Sequence, residues 1–238
     1  MQRAYAKVNL WLNVVGRRAD GYHLLDSLVA FVDLADTVEA APGDRLSLEV
    51  DGPASAALAN EADNLVLKAA RRLADHAGVA PRAALRLGKH IPVAAGLGGG
   101  SADAAATLRE LIDLWRVGMP QEELFDLAQS LGADVPMCLA GRPALASGVG
   151  ERLTPAPPLP SAAILLVNPG TALVTRDVFA AFAGKFSQAK PLGRPWRDPS
   201  EFVHELALRG NDLTAPADRK STRLNSSHSG ESRMPSSA

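Results

Sequence analysis

Cysteine is almost absent from this chain of 238 residues. Cys138 stands alone, so no internal disulfide can close, and no spacing of Cys and His offers a metal site. Long apolar runs are absent too, and without eighteen such residues in a row there is no membrane-spanning helix. The N-terminus, Met1-Gln-Arg-Ala-Tyr-Ala-Lys-Val-Asn, lacks the apolar core and cleavage site of a signal peptide. Charge is never concentrated: 25 Lys and Arg face 26 Asp and Glu, a net charge of −1, with no basic block of the kind a nucleic-acid binder needs. These absences point to a cytoplasmic protein whose partner is a small molecule, with neither nucleic acid nor membrane involved. Hydrophobic content of 47% and charged content of 21% are those of a globular domain, and the length suffices for one large domain or two small ones.

What is present in quantity is glycine, concentrated where it matters. In Pro92-Val-Ala-Ala-Gly-Leu-Gly-Gly-Gly-Ser-Ala-Asp-Ala-Ala-Ala106, Gly96, Gly98, Gly99 and Gly100 follow a strand-like run, and a helical pattern begins at Ser101. Leu108, Leu111, Ile112 and Trp115 supply its apolar stripe. Glycines at such a junction let the backbone approach a ligand closely. The first helical turn presents unpaired N–H groups and the positive end of the helix dipole, which suits a phosphate. The alternative is a flexible loop before an ordinary helix. A Walker A loop is excluded, because no Lys precedes Ser101. Gly96-Leu-Gly-Gly-Gly-Ser101 also misses the last position of the dinucleotide fingerprint, and no V-A-I-K follows as it would in a protein kinase.

Taken in order, residues 4–15 read as a strand, with Tyr5, Val8, Leu10, Leu12 and Val14 near period two. Lys7 and Asn9 lie within it, either on a solvated face or in a site. A polar loop, Gly16 to His23, exits on Tyr22 and His23, a pair suited to capping a strand end or to stacking on and hydrogen-bonding a heterocycle. Leu24–Ala40 and Leu46–Val50 read as strands joined by a hairpin at Pro42-Gly-Asp44. A helix starts at Asp63-Asn-Leu65, with Leu65, Ala69, Leu73 and Ala77 as its inner stripe, and Gly78 and Pro81 end it. Leu85–Ile91 is a strand feeding the glycine loop. Pro120–Leu131 is a helix with Leu124, Leu127 and Ala128 inward and Gly132 as its stop. Asp134, before the apolar run Val135–Ala140, is a turn former or, beside a phosphate loop, a base or metal-holding group. Ala144–Leu153 reads as a strand pair, Pro155 to Pro160 as a linker, Ala162–Val167 as a buried strand, Asn168-Pro-Gly170 as a turn, and Thr175–Phe182 and Glu201–Leu208 as helices. From Asp218 the sequence is serine-rich and aperiodic, with the composition of a disordered and non-native tail.

The pattern P-x-x-x-G-L-G-x-x-[SG]-A in Pro92–Ala102 resembles the phosphate-loop motif of the GHMP small-molecule kinases. Within that superfamily, Ala4 to His23, Pro92 to Ala106 and Leu131 to Pro136 resemble, in the same order, three motifs of the 4-diphosphocytidyl-2-C-methyl-D-erythritol kinases. The resemblance covers roughly residues 2–213. It implies an α+β, two-domain fold: an ATP-binding domain over 1–154, built on a mixed sheet with helices carrying the phosphate loop, and a partial second domain over 161–217, with 218–238 as the tail. It implies a transfer from ATP, with Mg²⁺, to the 2-hydroxyl of a cytidyl diphosphate sugar alcohol in isoprenoid-precursor synthesis.

By the same resemblance, Lys7 and Asp134 form the catalytic pair and Asn9 helps place the substrate. Tyr22 and His23 read the cytosine, with Phe179 as a second face of the stack. Pro92, Ala94, Ala95, Gly96, Leu97, Gly98, Gly99, Gly100, Ser101 and Ala102 hold the ATP phosphates, and Asn64 and Lys89 fall where adenosine is contacted. No protein side chain is assigned to the metal, which the phosphates and water hold. Two departures stand out: Ser101-Ala102 replaces the usual Ser-Ser, and the superfamily's third, glycine-rich motif is missing. The second departure implies an uncovered strand edge and apolar surface, and it keeps open a weak or inactive fragment. A homoserine or mevalonate kinase is the other alternative, and Asp20-Gly-Tyr-His23 argues against it.

Overall fold

The computed structural model describes residues 1–58, 64–168, 173–192 and 194–220. Asp63 at the expected helix start, Pro169 and Gly170 of the expected turn, and residues 221–238 of the tail lie outside them. Two long strands form the spine. Strand β1, Gln2–Arg17, pairs antiparallel with β2, His23–Ala41, along nearly its whole length. The other edge of β2 is shared between two partners. Leu25–Val29 pair with β5, Ala144–Gly148, which turns back into β6, Arg152–Pro155, as the glycines at 148 and 150 suggest. Thr37–Ala41 pair with β4, Ala84–Gly88.

The hairpin expected at Pro42-Gly-Asp44 does not form. Strand β3, Ser47–Asp51, does not return along β2; it runs parallel to β4, which lies between them in the order β3-β4-β2. A Cβ on Gly43 would meet the backbone nitrogen of Ala84 at 2.9 Å, so the turn is pressed against the incoming β4. Sequence adjacency favours a hairpin, but the inserted strand gives β2 a covered edge.

Helix α1, Leu65–Ala77, starts where Asn64 accepts a hydrogen bond from the Val66 amide and ends at Gly78 with φ 64°, the left-handed cap expected there. Its buried stripe is Val66, Ala69, Ala70, Leu73 and Ala74, rotated from the expected one so that Leu65 and Ala77 stand at the margin. Helix α2, Gly99–Trp115, begins inside the glycine run, two residues before Ser101. Residues 102–108 are all buried, because this helix lies between the sheet, α1 and the short helix formed by Val135–Ala140. Its alanines allow that close approach. Helices α3, Gln121–Leu131, and α4, Val135–Ala140, complete the layer over the sheet, with Leu127 and Ala128 inward and Gly132 ending α3 as expected. One contiguous core joins Val29, Val38, Leu73, Leu87, Leu108 and Val135.

The remainder departs from expectation in one element. Residues 161–168 form no strand and are exposed, with Leu165 at 88% and Val167 at 81%. A strand needs a ladder partner for its N–H and C=O groups, and none of the described strands runs beside this segment. Apolar composition alone misread it. The helices beyond it do form: α5, Thr175–Ala180, and α6, Pro199–Arg209. Residues 214–220 are helical as well, so Asp218–Lys220, expected within the disordered tail, belong to a helix.

The uncovered strand edge is partly covered from within. The Leu12 amide donates to Gly210 O and Leu12 O accepts from the Asp212 amide, while Asp212 Oδ2 accepts from the Val14 amide. Phe202 of α6 packs with Trp11 and Leu28 in a second small core.

Candidate functional site

The glycine loop is seated on β1. The Lys7 amide donates to Leu97 O at 2.9 Å, and the Lys7 side chain lies so close to Gly98 that a Cβ there would be 2.6 Å from Cγ. Gly98 also has φ 66°, a conformation that Cβ-bearing residues adopt at a cost. On the other side of the loop, a Cβ on Gly96 or Gly100 would meet nothing within 4 Å, and both residues are exposed. The loop therefore has one face packed on the protein and one open to a ligand. Ala94 takes φ 57°, a left-handed conformation that costs a non-glycine residue roughly 1–3 kcal/mol and tends to mark functional loops. Pro92, Ala94 and the flanking Ala95 stand at its outer rim, while Ala102 is buried below Ser101 in the first turns of α2.

Lys7 is 8% exposed, which rejects the solvated-face reading. Its ammonium lies 3.1 Å from Asp134 Oδ2 and donates to Asn9 Oδ1 at 3.0 Å. Asn9 Nδ2 in turn donates to Ser27 Oγ, and Ser27 donates to Trp11 O, so the amide is oriented by a chain of bonds into β2 and β1. Asp134 precedes α4 without capping it by its side chain, and its carboxylate is 37% exposed. A part-open carboxylate beside a buried ammonium and a phosphate-loop backbone can take a proton from a hydroxyl while the cation holds charge. Cys138, one turn further along α4, is a buried thiol pushed up to about 12, chiefly by burial and then by the charge of Asp134.

Tyr22 and His23 are placed at the far end of the β1–β2 pair, and Tyr22 is 64% exposed. Burial, with Arg17 nearby, lowers the His23 pKa, so the ring is neutral at pH 7 and offers one donor and one acceptor. Phe179 stacks on His23 itself, with ring centroids 5.4 Å apart and planes at 27°. A base between two rings needs about 7 Å, twice the separation of atoms in contact. Phe179, expected as a second face of the stack, lies in direct contact with His23, and Phe182 meets His23 edge-on at 5.7 Å.

The two adenosine positions are turned inward. Asn64 is buried and its Oδ1 is taken by the Val66 amide. Lys89 is 3% exposed and lies beneath the loop, bonded to Asp36 Oδ2 at 2.5 Å and Asp103 Oδ2 at 2.7 Å. A ligand at the surface would not reach an ammonium so enclosed, and the reason is its two carboxylate partners. Asp36 and Asp103 were not foreseen from the sequence. Asp103 carried a signal, as a lone carboxylate among the alanines that follow the glycines, and Asp36 carried one in its period-two relation to Val38.

Residues 64–142 match the family described as the GHMP kinases N terminal domain. The 4-diphosphocytidyl-2-C-methyl-D-erythritol kinase of Paramagnetospirillum magneticum is 56% identical over 214 residues, covering 90% of this chain and 75% of the relative. That of Rhodospirillum rubrum is 53% identical over 219 residues, covering 92% and 72%. A crystal structure of 4-(cytidine 5'-diphospho)-2C-methyl-D-erythritol kinase superposes with a TM-score of 0.65 at 35% identity, covering 96% of this chain and 81% of that one. The L. major mevalonate kinase, at 18% identity and a TM-score of 0.51, shares the fold alone. With three quarters of its relatives' length matched at such identity, and the fold in common, the chain belongs to the 4-diphosphocytidyl-2-C-methyl-D-erythritol kinase family of GHMP kinases.

Proposed function

We propose that this protein transfers the γ-phosphoryl group of ATP to the 2-hydroxyl of 4-diphosphocytidyl-2-C-methyl-D-erythritol, a step in making isoprenoid precursors. The observation that carries the reading is the Lys7–Asp134 pair joined to the glycine loop through a single residue: Lys7 contacts Asp134 with its side chain and Leu97 O with its backbone. Acceptor hydroxyl and donor phosphate are thereby positioned by one strand.

The division of labour follows from the residues. Gly96 to Ser101 present their backbone to the phosphates, with the N-terminus of α2 adding its dipole. As the bond from the γ-phosphorus to the substrate oxygen forms and the bond to ADP breaks, Asp134 accepts the hydroxyl proton. Lys7 holds Asp134 in place by their ion pair and offsets negative charge on the transferring oxygens. Asn9, held by Ser27, orients the sugar-alcohol end of the substrate. Tyr22 and neutral His23 recognise the cytosine, with Phe179 moving to accommodate the ring. Mg²⁺ suits this site, where its hard oxygen ligands come from phosphates and water beside the part-open Asp134, and it supplies neutralisation of phosphate charge. Among the described residues no helix is long and apolar enough to cross a membrane. A cytoplasmic location agrees with Cys138 as a buried free thiol.

The test is ADP release by the purified chain with Mg-ATP, with and without the cytidyl substrate, beside Asp134→Asn. Release that requires the substrate and disappears in the variant is the expected result. Equal release with mevalonate or homoserine would transfer the reading to another member of the superfamily.

A further inference from the structure

A buried cluster of three ionisable side chains lies beneath the phosphate loop, and the reaction as described makes no use of it. Asp36 is 0% exposed in the middle of β2. Its Oδ1 accepts from the amides of His90 at 2.5 Å and Ile91 at 2.8 Å, the two residues through which β4 leads into the loop. Its Oδ2 accepts from Lys89 Nζ, which donates also to Asp103 in the second turn of α2, just past the loop. Lys89 passes directly under Gly99, where a Cβ would lie 3.0 Å from Nζ. Asp103 is buried, and its Oδ1 has no hydrogen-bond partner. Such a buried, incompletely satisfied carboxylate is costly and calls for a reason.

We propose that Asp36 and Lys89 are positioning residues for the phosphate loop, fixing its entry at His90–Ile91 and its exit at Asp103 to the same point of β2. Eleven residues lie between Ile91 and Asp103, and a segment that long keeps its amides in phosphate-binding geometry only if both ends are held. Backbone bonds hold the segment at Lys89, through the Asp51 carbonyl, and at Leu97, through the Lys7 amide. The side-chain triad adds the tie from His90–Ile91 and Asp103 to β2. Misplacement of about 1 Å at a reacting centre can lower a rate a hundredfold. Lys89 therefore serves the nucleotide through the loop and without touching adenosine. The inference rests on the reading that this loop binds the phosphates of ATP.

Asp36→Asn and Lys89→Met in the full chain test it by two measurements that need no turnover. Hydrogen exchange without ligand should quicken across residues 90–101, with α1 as the internal control. Calorimetry with Mg²⁺ and a non-hydrolysable ATP analogue should show a Kd raised about tenfold, the loss of part of a charged hydrogen bond. The Kd for the cytidyl substrate should stay unchanged. Should either variant melt below the assay temperature, Asp103→Ala, which removes the acceptor past the loop and leaves the Asp36–Lys89 pair in place, is read in the same way. Unchanged nucleotide affinity in variants whose parent binds the analogue would overturn the proposal, and so would equal weakening of both ligands. A parent that binds no nucleotide would overturn the phosphate-loop reading itself.

Discussion

The Lys7 ammonium lies 3.1 Å from the Asp134 carboxylate, joining strand β1 of the spine to the start of α4. Such a pair acts as a unit, since each group fixes the position of the other. Lys7→Met and Asp134→Asn should each lower kcat about 10²–10⁴-fold, the range for a lost proton acceptor or a lost transition-state charge. The double variant should be no worse than the weaker single variant, because groups acting together are not additive. Steady-state kcat for the four proteins checks this; a double loss equal to the product of the single losses would separate the two roles.

Gly98 and Gly100 lie two residues apart and should respond in opposite ways to alanine. At Gly98 a Cβ meets Lys7 Cγ at 2.6 Å and the backbone is left-handed; at Gly100 it meets nothing within 4 Å. Gly98→Ala should lower stability by at least about 1–2 kcal/mol, the left-handed penalty alone. Gly100→Ala should leave stability unchanged or raise it slightly, as a helical Gly→Ala change does. Urea unfolding of both variants decides it.

The direct stack of Phe179 on His23 predicts a specific loss. Phe179→Ala should raise KM for the cytidyl substrate about tenfold or more, the scale of one base–aromatic stack of ~1–3 kcal/mol. KM for ATP should not change. Because the His23 pKa is lowered, first by burial and then by Arg17, the neutral ring persists to below the ordinary value of 6.5. Substrate KM should be flat from pH 7 to pH 8 and rise only on acidification past that value. A rise already at pH 7 would refute the neutral-ring reading.

Local signals in the sequence were sufficient where local forces decide. Asn64 and Gly78 bound α1 as cap residues should, and the glycine loop sits at a strand–helix junction as its composition suggests. Lys7, Asn9 and Asp134 were recognised from separated motifs, and the fold brings them within hydrogen-bonding distance. The failures are non-local. Nothing near Pro42 announces that β4, some forty residues later, will insert beside β2 and remove the hairpin. Ala162–Val167 has the composition of a strand and lacks a ladder partner among the described residues, a matter of the rest of the fold and not of the segment. Lys89 was placed at the adenosine by resemblance alone, which carries no information on what surrounds its ammonium. Its two carboxylate partners lie 53 and 14 residues away along the chain, and only the folded sheet brings them together.

Asp103 gives the chain an alkaline weakness. Burial pushes its carboxyl up to about 8, against the opposing pull of Lys89, while the unfolded value is 3.8. Between these values the folded state holds a proton that the unfolded state has released, so stability falls as pH rises. The contribution is complete below pH 3.8 and gone once pH has passed about 8. From pH 6 to pH 8 the unfolding free energy should therefore decline with a slope approaching one proton, then level off. Asp103→Asn carries no such proton and should remove that slope while keeping a partner for Lys89. Urea midpoints at half-unit steps from pH 6 to pH 9 measure both curves. Parallel curves would mean that Asp103 is already ionised at pH 6, with Lys89 outweighing its burial.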